Sequence, residues 1–174
     1  DFYLPLIIRS DFLLITQDGS VNENQYSEIN KNNIKKVGIW LNGFDPIKHY
    51  SEEKINSLKN HYGINSPNAL VFINVSFLSK WKRVDSVIEL FYRFLKEVSD
   101  NAYLIMVGDG TMENQLKETV RMYGIEDKVK FIGRVTQRDV QSYLAVSDIF
   151  FSFYQKQNLS NSLWEAMSMG KCVI

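Results

Sequence analysis

A single cysteine, three prolines and two histidines among 174 residues leave little material for several common chemistries. Cys172 has no partner, so there is neither a disulfide framework nor a cysteine pair for zinc, and a lone thiol favours a reducing compartment. It sits in a short apolar run and is expected to fill core. His49 and His61 stand apart in polar surroundings and are expected at the surface. Charge of one sign is missing too: 20 Lys and Arg against 20 Asp and Glu give no net charge. That removes the electrostatic footprint of a protein that binds duplex nucleic acid or lies on an anionic membrane. No stretch reaches the length of a transmembrane helix, and the apolar opening at Phe2–Ile8 is too short, with the wrong flanks, for a signal peptide. The expectation is a cytoplasmic protein. Neither a Gly-x-Ser-x-Gly elbow nor a Walker loop is present. The chain opens on Asp1 without Met and stops inside an apolar run at Ile174, as a piece of a longer protein would.

What is present is an ordinary globular composition, 45% hydrophobic and 23% charged, enough for one full core. Phe12–Thr16 reads as a short buried strand, and 18–36 as a polar surface stretch. Val37–Leu41 is the next strand, running into the Asn42-Gly43-Phe44-Asp45-Pro46 turn. A helix near Ser51 carries Glu52 and Glu53 in its first turn, Ile55, Leu58 and Tyr62 on one face, and stops at Gly63. From there the pattern is regular. Strands are predicted at Ala69–Val75, Tyr103–Val107, Val129–Ile132 and Ile149–Phe153. Between and after them come helices over 84–98, 111–123, from Thr136 onward, and over 160–169. The second has its stripe at Val84, Val87, Ile88, Phe91, Phe94, Leu95 and Val98; Thr136 is expected to cap the fourth, with Asp139 three residues on. Strands alternating with helices over short connections predict an α/β fold, a doubly wound parallel sheet of Rossmann-like type. The polar segment before about Asn33 marks a boundary, dividing residues 1–33 from a repeating domain over 34–174.

Three stretches could carry chemistry. Val107-Gly108-Asp109-Gly110-Thr111 lies between a strand and a helix, where glycines let a backbone approach an anionic ligand closely; a plain tight turn explains them equally well. Glu113 stands where a dinucleotide fingerprint has its third glycine, which counts against a dehydrogenase. Lys80-Trp81-Lys82-Arg83 places three cations after a strand, suited to phosphate, although such a run is more often a solvated loop. The stretch from Asp148 to Gly170 reads as strand, polar loop and helix, and Glu165 is its most promising side chain. Phe150, Phe151, Phe153 and Tyr154 are read as core rather than as a platform for stacking bases.

In this order the landmarks resemble the nucleotide-sugar-binding half of a GT-B glycosyltransferase, in particular the retaining enzymes of glycosyltransferase family 4. Asn42-Gly43-Phe44-Asp45 looks like the family's opening turn, and Asn74–Asp85 like its strand and Lys-Gly stretch, with Lys82 as the donor-phosphate lysine. Val107–Gly110 resembles its Val-Gly-x-Gly loop, and Val129–Gly133 its Val-x-Phe-x-Gly strand. Leu163-Trp164-Glu165-Ala166-Met167 followed by Gly170 resembles its Leu-Leu-Glu-Ala-Met helix. The resemblance implies that Glu165 accepts hydrogen bonds from the donor ribose and that Lys82 balances charge on the leaving nucleoside diphosphate. Backbone amides over Leu159, Ser160, Asn161 and Ser162 would meet the diphosphate, and Asn158, Gly108, Gly110, Gly133 and Arg134 would belong to the same donor site. No metal ion or other cofactor is implied.

Two positions depart from the family pattern. Gln157, eight positions before Glu165, stands where a first glutamate is usual, and Phe77 stands where an arginine usually pairs with the lysine. Asn158-Leu159-Ser160-Asn161 resembles a variant loop of relatives that also lack that glutamate. The resemblance therefore implies transfer from a UDP- or GDP-sugar to an acceptor glycan, lipid or protein bound by a preceding domain, with peripheral membrane association of the whole protein. It leaves an inactive binding or scaffold module as the alternative, and a GT-B epimerase or phosphorylase as a third.

Overall fold

Apolar runs rich in β-branched residues become strands and the helix-period stripes between them become helices, because only that arrangement buries both kinds of apolar face. The computed structural model describes residues 13–17, 37–41, 43, 46–66, 68–153 and 160–174. The chain forms two compact units, residues 1–44 with 157–161, and residues 45–156 with 162–174. In the first, β1 (Leu13–Gln17) pairs in parallel with β2 (Val37–Leu41), Leu13 opposite Val37. The expectations for Phe2–Ile8, for 18–36 and for Asn42, Phe44 and Asp45 lie outside the described residues.

The second unit is built on a five-stranded parallel sheet. In chain order its elements are α1 (Glu52–His61), β3 (Leu70–Val75), a 3-10 turn (Lys80–Lys82), α2 (Val84–Glu97), β4 (Ala102–Val107), α3 (Glu113–Tyr123), β5 (Val129–Gly133), α4 (Gln137–Val146), β6 (Ile149–Phe150), α5 (Asn161–Ser168) and β7 (Cys172–Val173). Strand order is β5-β4-β3-β6-β7, with helices on both faces. This is the expected doubly wound, Rossmann-like α/β fold.

The period-two alternation divides the core. Phe72, Leu104 and Met106 face α2 and α3, with Val87, Ile88, Phe91, Leu116 and Val120 packed against them. Val71, Ile73, Ile105, Val107 and Phe150 face the other side, against Val140 and Leu144 of α4 and Leu163 and Ala166 of α5. Gln141 anchors α4 to the segment before α1, accepting from Lys48 N at 2.9 Å and donating to Pro46 O at 3.2 Å. Among the described residues, no helix is long and apolar enough to cross a membrane.

Four local expectations are corrected. Cys172 is exposed in β7, not core filler. Val98, expected on the buried stripe of α2, is 70% exposed, since the helix ends at Glu97 and the backbone turns away. Thr136 occupies the cap position of α4, but its hydroxyl donates to Asp139 Oδ2 at 2.7 Å instead of accepting a backbone amide. β6 keeps regular pairing over Ile149–Phe150 alone, because beyond it the Asn74 side chain takes the Phe151 carbonyl at 2.8 Å in place of a ladder partner. The other predicted strand and helix boundaries hold to within one or two residues.

Candidate functional site

Five parallel strands deliver their carboxyl ends to one edge, and loops leave the sheet there. From β3 the chain moves outward through β4 to β5, then returns to lay β6 and β7 on the other side of β3. The helices after β3 and β6 therefore diverge to opposite faces and open a crevice, the place where such sheets bind ligands. Every described residue predicted for the site lies on a segment leaving this edge. Lys82 follows β3, Gly108 and Gly110 follow β4, Gly133 ends β5 with Arg134 next, and Ser160, Asn161, Ser162 and Glu165 follow β6.

Asn74, on β3, holds the crevice together. It is 1% exposed, donates through Nδ2 to Phe151 O at 2.8 Å and accepts from the Ser76 hydroxyl at 2.8 Å. A buried amide is tolerated only with such partners. It was missed as a site residue, although a lone polar residue inside the apolar run Ala69–Val75 was the available signal.

The glycine loop has a structural task that the sequence left open. Ser76 N donates to Val107 O at 3.0 Å, Leu78 N to Asp109 O at 2.8 Å and Met112 N to Leu78 O at 3.0 Å, so the loops after β3 and β4 run against each other. A Cβ on Gly108 would lie 2.0 Å from Ser76 O, and one on Gly110 would lie 2.3 Å from Leu78 O. The close approach these glycines permit is thus to a neighbouring backbone. Gly108 N also donates to Gly133 O at 2.9 Å, bringing the third loop into the same layer. Between these loops lies a cleft of about 210 Å³, lined by Ser76, Phe77, Gly108, Asp109 and Arg134 and floored by Val75, Val107, Val135 and Val140. Of the predicted residues, Gly108 and Arg134 line it. Phe77, at the position where the family resemblance expects arginine, is 51% exposed there and brings no charge.

The basic run is not a uniformly solvated loop. Lys80, Trp81 and Arg83 are exposed, whereas Lys82 is 8% exposed. The turn places it so: Lys82 N donates to Ser79 O at 3.1 Å, Arg83 N to Lys80 O at 3.0 Å, and Arg83 takes a left-handed conformation at φ 48° before α2 begins. Burial pushes the Lys82 amine below its ordinary value, because water no longer stabilises the charge. Its ammonium lies 4.1 Å from the centre of the Trp81 ring.

On the opposite side of the crevice stands α5. The Ser162 hydroxyl in its first turn donates to Val75 O, the last residue of β3, at 3.2 Å. One turn later on the same helix Glu165 is 3% exposed. A carboxylate at that depth suits partners that arrive with their own donors, such as paired hydroxyls. Gln157, Asn158 and Leu159 lie outside the described residues, and Lys82 and Glu165 are not among the described residues lining the 210 Å³ cleft. Among the described residues no group of three or more His, Cys, Asp or Glu side chains could hold a metal ion.

Residues 57–174 match the family described as Glycosyl transferases group 1. N-acetyl-α-D-glucosaminyl L-malate synthase of Bacillus anthracis is 32% identical over 164 residues, covering 94% of this chain and 41% of that protein. An α-monoglucosyldiacylglycerol synthase of Streptococcus pneumoniae is 28% identical over 138 residues, covering 79% of this chain and 31% of its own length. Among solved structures, Anabaena Alr3699/HepE in complex with UDP and glucose aligns with a TM-score of 0.70 at 22% identity, covering 92% of this chain and 43% of that one. The chain thus spans less than half the length of each. With a parallel sheet, a crevice at its carboxyl edge and a match over most of its length, this chain belongs to the group 1 glycosyl transferases and forms part of a GT-B fold.

Proposed function

We propose that this chain is the donor-binding half of a retaining glycosyltransferase that takes a nucleoside diphosphate sugar, with a UDP-sugar ahead of a GDP-sugar. The observation that carries the reading is the pair of buried charged side chains, Lys82 and Glu165, on the two helix-bearing segments that flank the crevice between β3 and β6. Lys82 would meet the diphosphate, whose negative charge favours the protonated amine against the pull of burial. As the bond from sugar to phosphate breaks, the ammonium would balance the charge growing on the leaving nucleoside diphosphate, with no metal ion needed. Glu165 would accept from two ribose hydroxyls, and backbone amides over 158–162 would share the phosphate oxygens. The names of the relatives and the UDP and glucose bound by Alr3699/HepE support a sugar donor. The unit of residues 45–156 with 162–174 would form the donor domain. A preceding domain of the longer protein would hold a glycan, lipid or protein acceptor, so this chain alone would not complete transfer. A cytoplasmic enzyme, docked on the membrane through that other domain, fits the reading.

Calorimetric titration of the full-length protein tests it. UDP or GDP should bind with micromolar to millimolar affinity, and Lys82→Met and Glu165→Gln should each weaken binding at least tenfold. Wild-type protein that binds neither nucleotide would overturn the reading. The exposed Phe77 in place of a phosphate cation favours a second reading, a nucleotide-sugar-binding module without turnover. Donor hydrolysis or transfer that disappears in Glu165→Ala would exclude that second reading.

A further inference from the structure

We propose that Trp81 is a positioning residue for Lys82, its indole face holding the buried ammonium where a donor diphosphate would meet it. The inference rests on the assignment of Lys82 to that diphosphate. Trp81 is 41% exposed and belongs to neither hydrophobic core cluster, so its place in the turn is not explained by packing of the core. Its contact is with the side chain next to it, Lys82 Nζ standing 4.1 Å from the ring centre. Successive residues of a 3-10 turn point about 120° apart, so neighbours do not meet unless the lysine stem folds back over the ring. Other lysine pairings on aromatic rings are looser, at 5.6 Å for Lys96 on Tyr92, 5.6 Å for Lys117 on Phe131, and 4.8 Å and 6.0 Å for Lys128 and Lys130 on Tyr103. Among these described pairings the Trp81 one alone involves a buried lysine.

The physical gain is specific to a phosphate-binding cation. Burial strips water from the ammonium and favours the neutral amine, whereas the negative face of an indole favours the charged form. The aromatic face also fixes the direction of a side chain that otherwise has several rotamers.

The test is calorimetric titration of the full-length protein with UDP and with uridine, across wild type, Trp81→Phe, Trp81→Leu, Lys82→Met and the Trp81→Leu/Lys82→Met double variant. Trp81→Leu should weaken UDP binding roughly three- to tenfold, the size of a cation–π contact. It should leave uridine unaffected, Trp81→Phe should recover most of the loss, and the substitution should change nothing further once Lys82 is gone. Equal losses for UDP and uridine, an unchanged UDP affinity, or a full additional loss in the Lys82→Met background would each overturn the proposal. Trp81→Gln provides a second variant suited to an exposed position should Trp81→Leu fold poorly. If Lys82→Met itself leaves UDP affinity intact, the assignment of Lys82 fails and the proposal falls with it.

Discussion

Replacing three glycines with alanine separates backbone strain from steric overlap in the loop layer beneath the crevice. Gly124 ends α3 at φ 65° with nothing within 4 Å of an added Cβ, so Gly124→Ala meets only the cost of a left-handed alanine, about 1 kcal/mol. Gly110 does not have positive φ, but its Cβ would stand 2.3 Å from Leu78 O and 2.7 Å from Leu78 N. No flexible side chain can yield there, so Gly110→Ala should cost about 1–3 kcal/mol as overpacking. Gly108 combines φ 128° with a Cβ 2.0 Å from Ser76 O, and Gly108→Ala should cost about 2–6 kcal/mol, strain and overlap together. Against a typical stability of about 5–15 kcal/mol, the last is large enough to unfold the domain. Urea unfolding of the full-length protein, followed by hydrogen exchange at Leu78 N and Gly108 N, reads both effects. Those amides donate across the loops to Asp109 O and Gly133 O and should lose protection in both loop variants but not in Gly124→Ala. The reasoning is refuted if all three substitutions cost the same within about 0.5 kcal/mol, for then the loops do not hold each other as described.

Asn74→Leu should destabilise by about 1–3 kcal/mol, because Phe151 O and the Ser76 hydroxyl lose the side chain that satisfies them, and donor affinity should fall with it as the crevice between β3 and β6 loosens. Chemical denaturation alongside UDP titration checks both, and an undiminished stability would refute the role. Lys171 gives a pH signature: its amine donates to Ser147 O at 2.8 Å and Ala145 O at 3.4 Å, and burial first, then the nearby Lys59, pull it below the ordinary 10.5 despite an opposing pull from Asp148. In the window between the lowered folded value and the unfolded one, the unfolded chain binds more protons, so stability rises with pH. Unfolding free energies at pH 7 and pH 10 should show wild type gaining on Lys171→Met; wild type losing ground to the variant in the alkaline sample contradicts the sign.

Much of this was legible in the chain because the signals were periodic. The α2 stripe through Val84, Val87, Ile88, Phe91 and Leu95 is fully buried, as its spacing requires, and α3 buries Leu116 and Val120 in the same way. Residue types that fit only one backbone state were equally readable, as with Gly63 at φ 69° after α1. What failed depended on neighbours in space. Cys172 looked like core, yet in β7 it is exposed. The Thr136 hydroxyl turned to donate to the Asp139 carboxylate, a charge-assisted bond, and in that orientation caps no amide. The site residues were found through motif order, yet Asn74 and Trp81 were passed over: the partner of Asn74 lies across the sheet at Phe151, and the contact of Trp81 depends on how the Lys82 side chain folds back over the ring.

By itself, then, the amino-acid order determined the alternation of strands and helices and hence the parallel sheet, since hydrophobic period and turn residues are local properties. It also set out the sequence of loops from Lys82 to Glu165. Only the tertiary structure decided that β6 returns beside β3, that Gly108 and Gly110 are small for the sake of Ser76 and Leu78, and that one lysine of a basic run is buried against a ring. These are relations between residues distant in the chain or between side chains competing for the same space, and burial and hydrogen bonding settle them when the layers close.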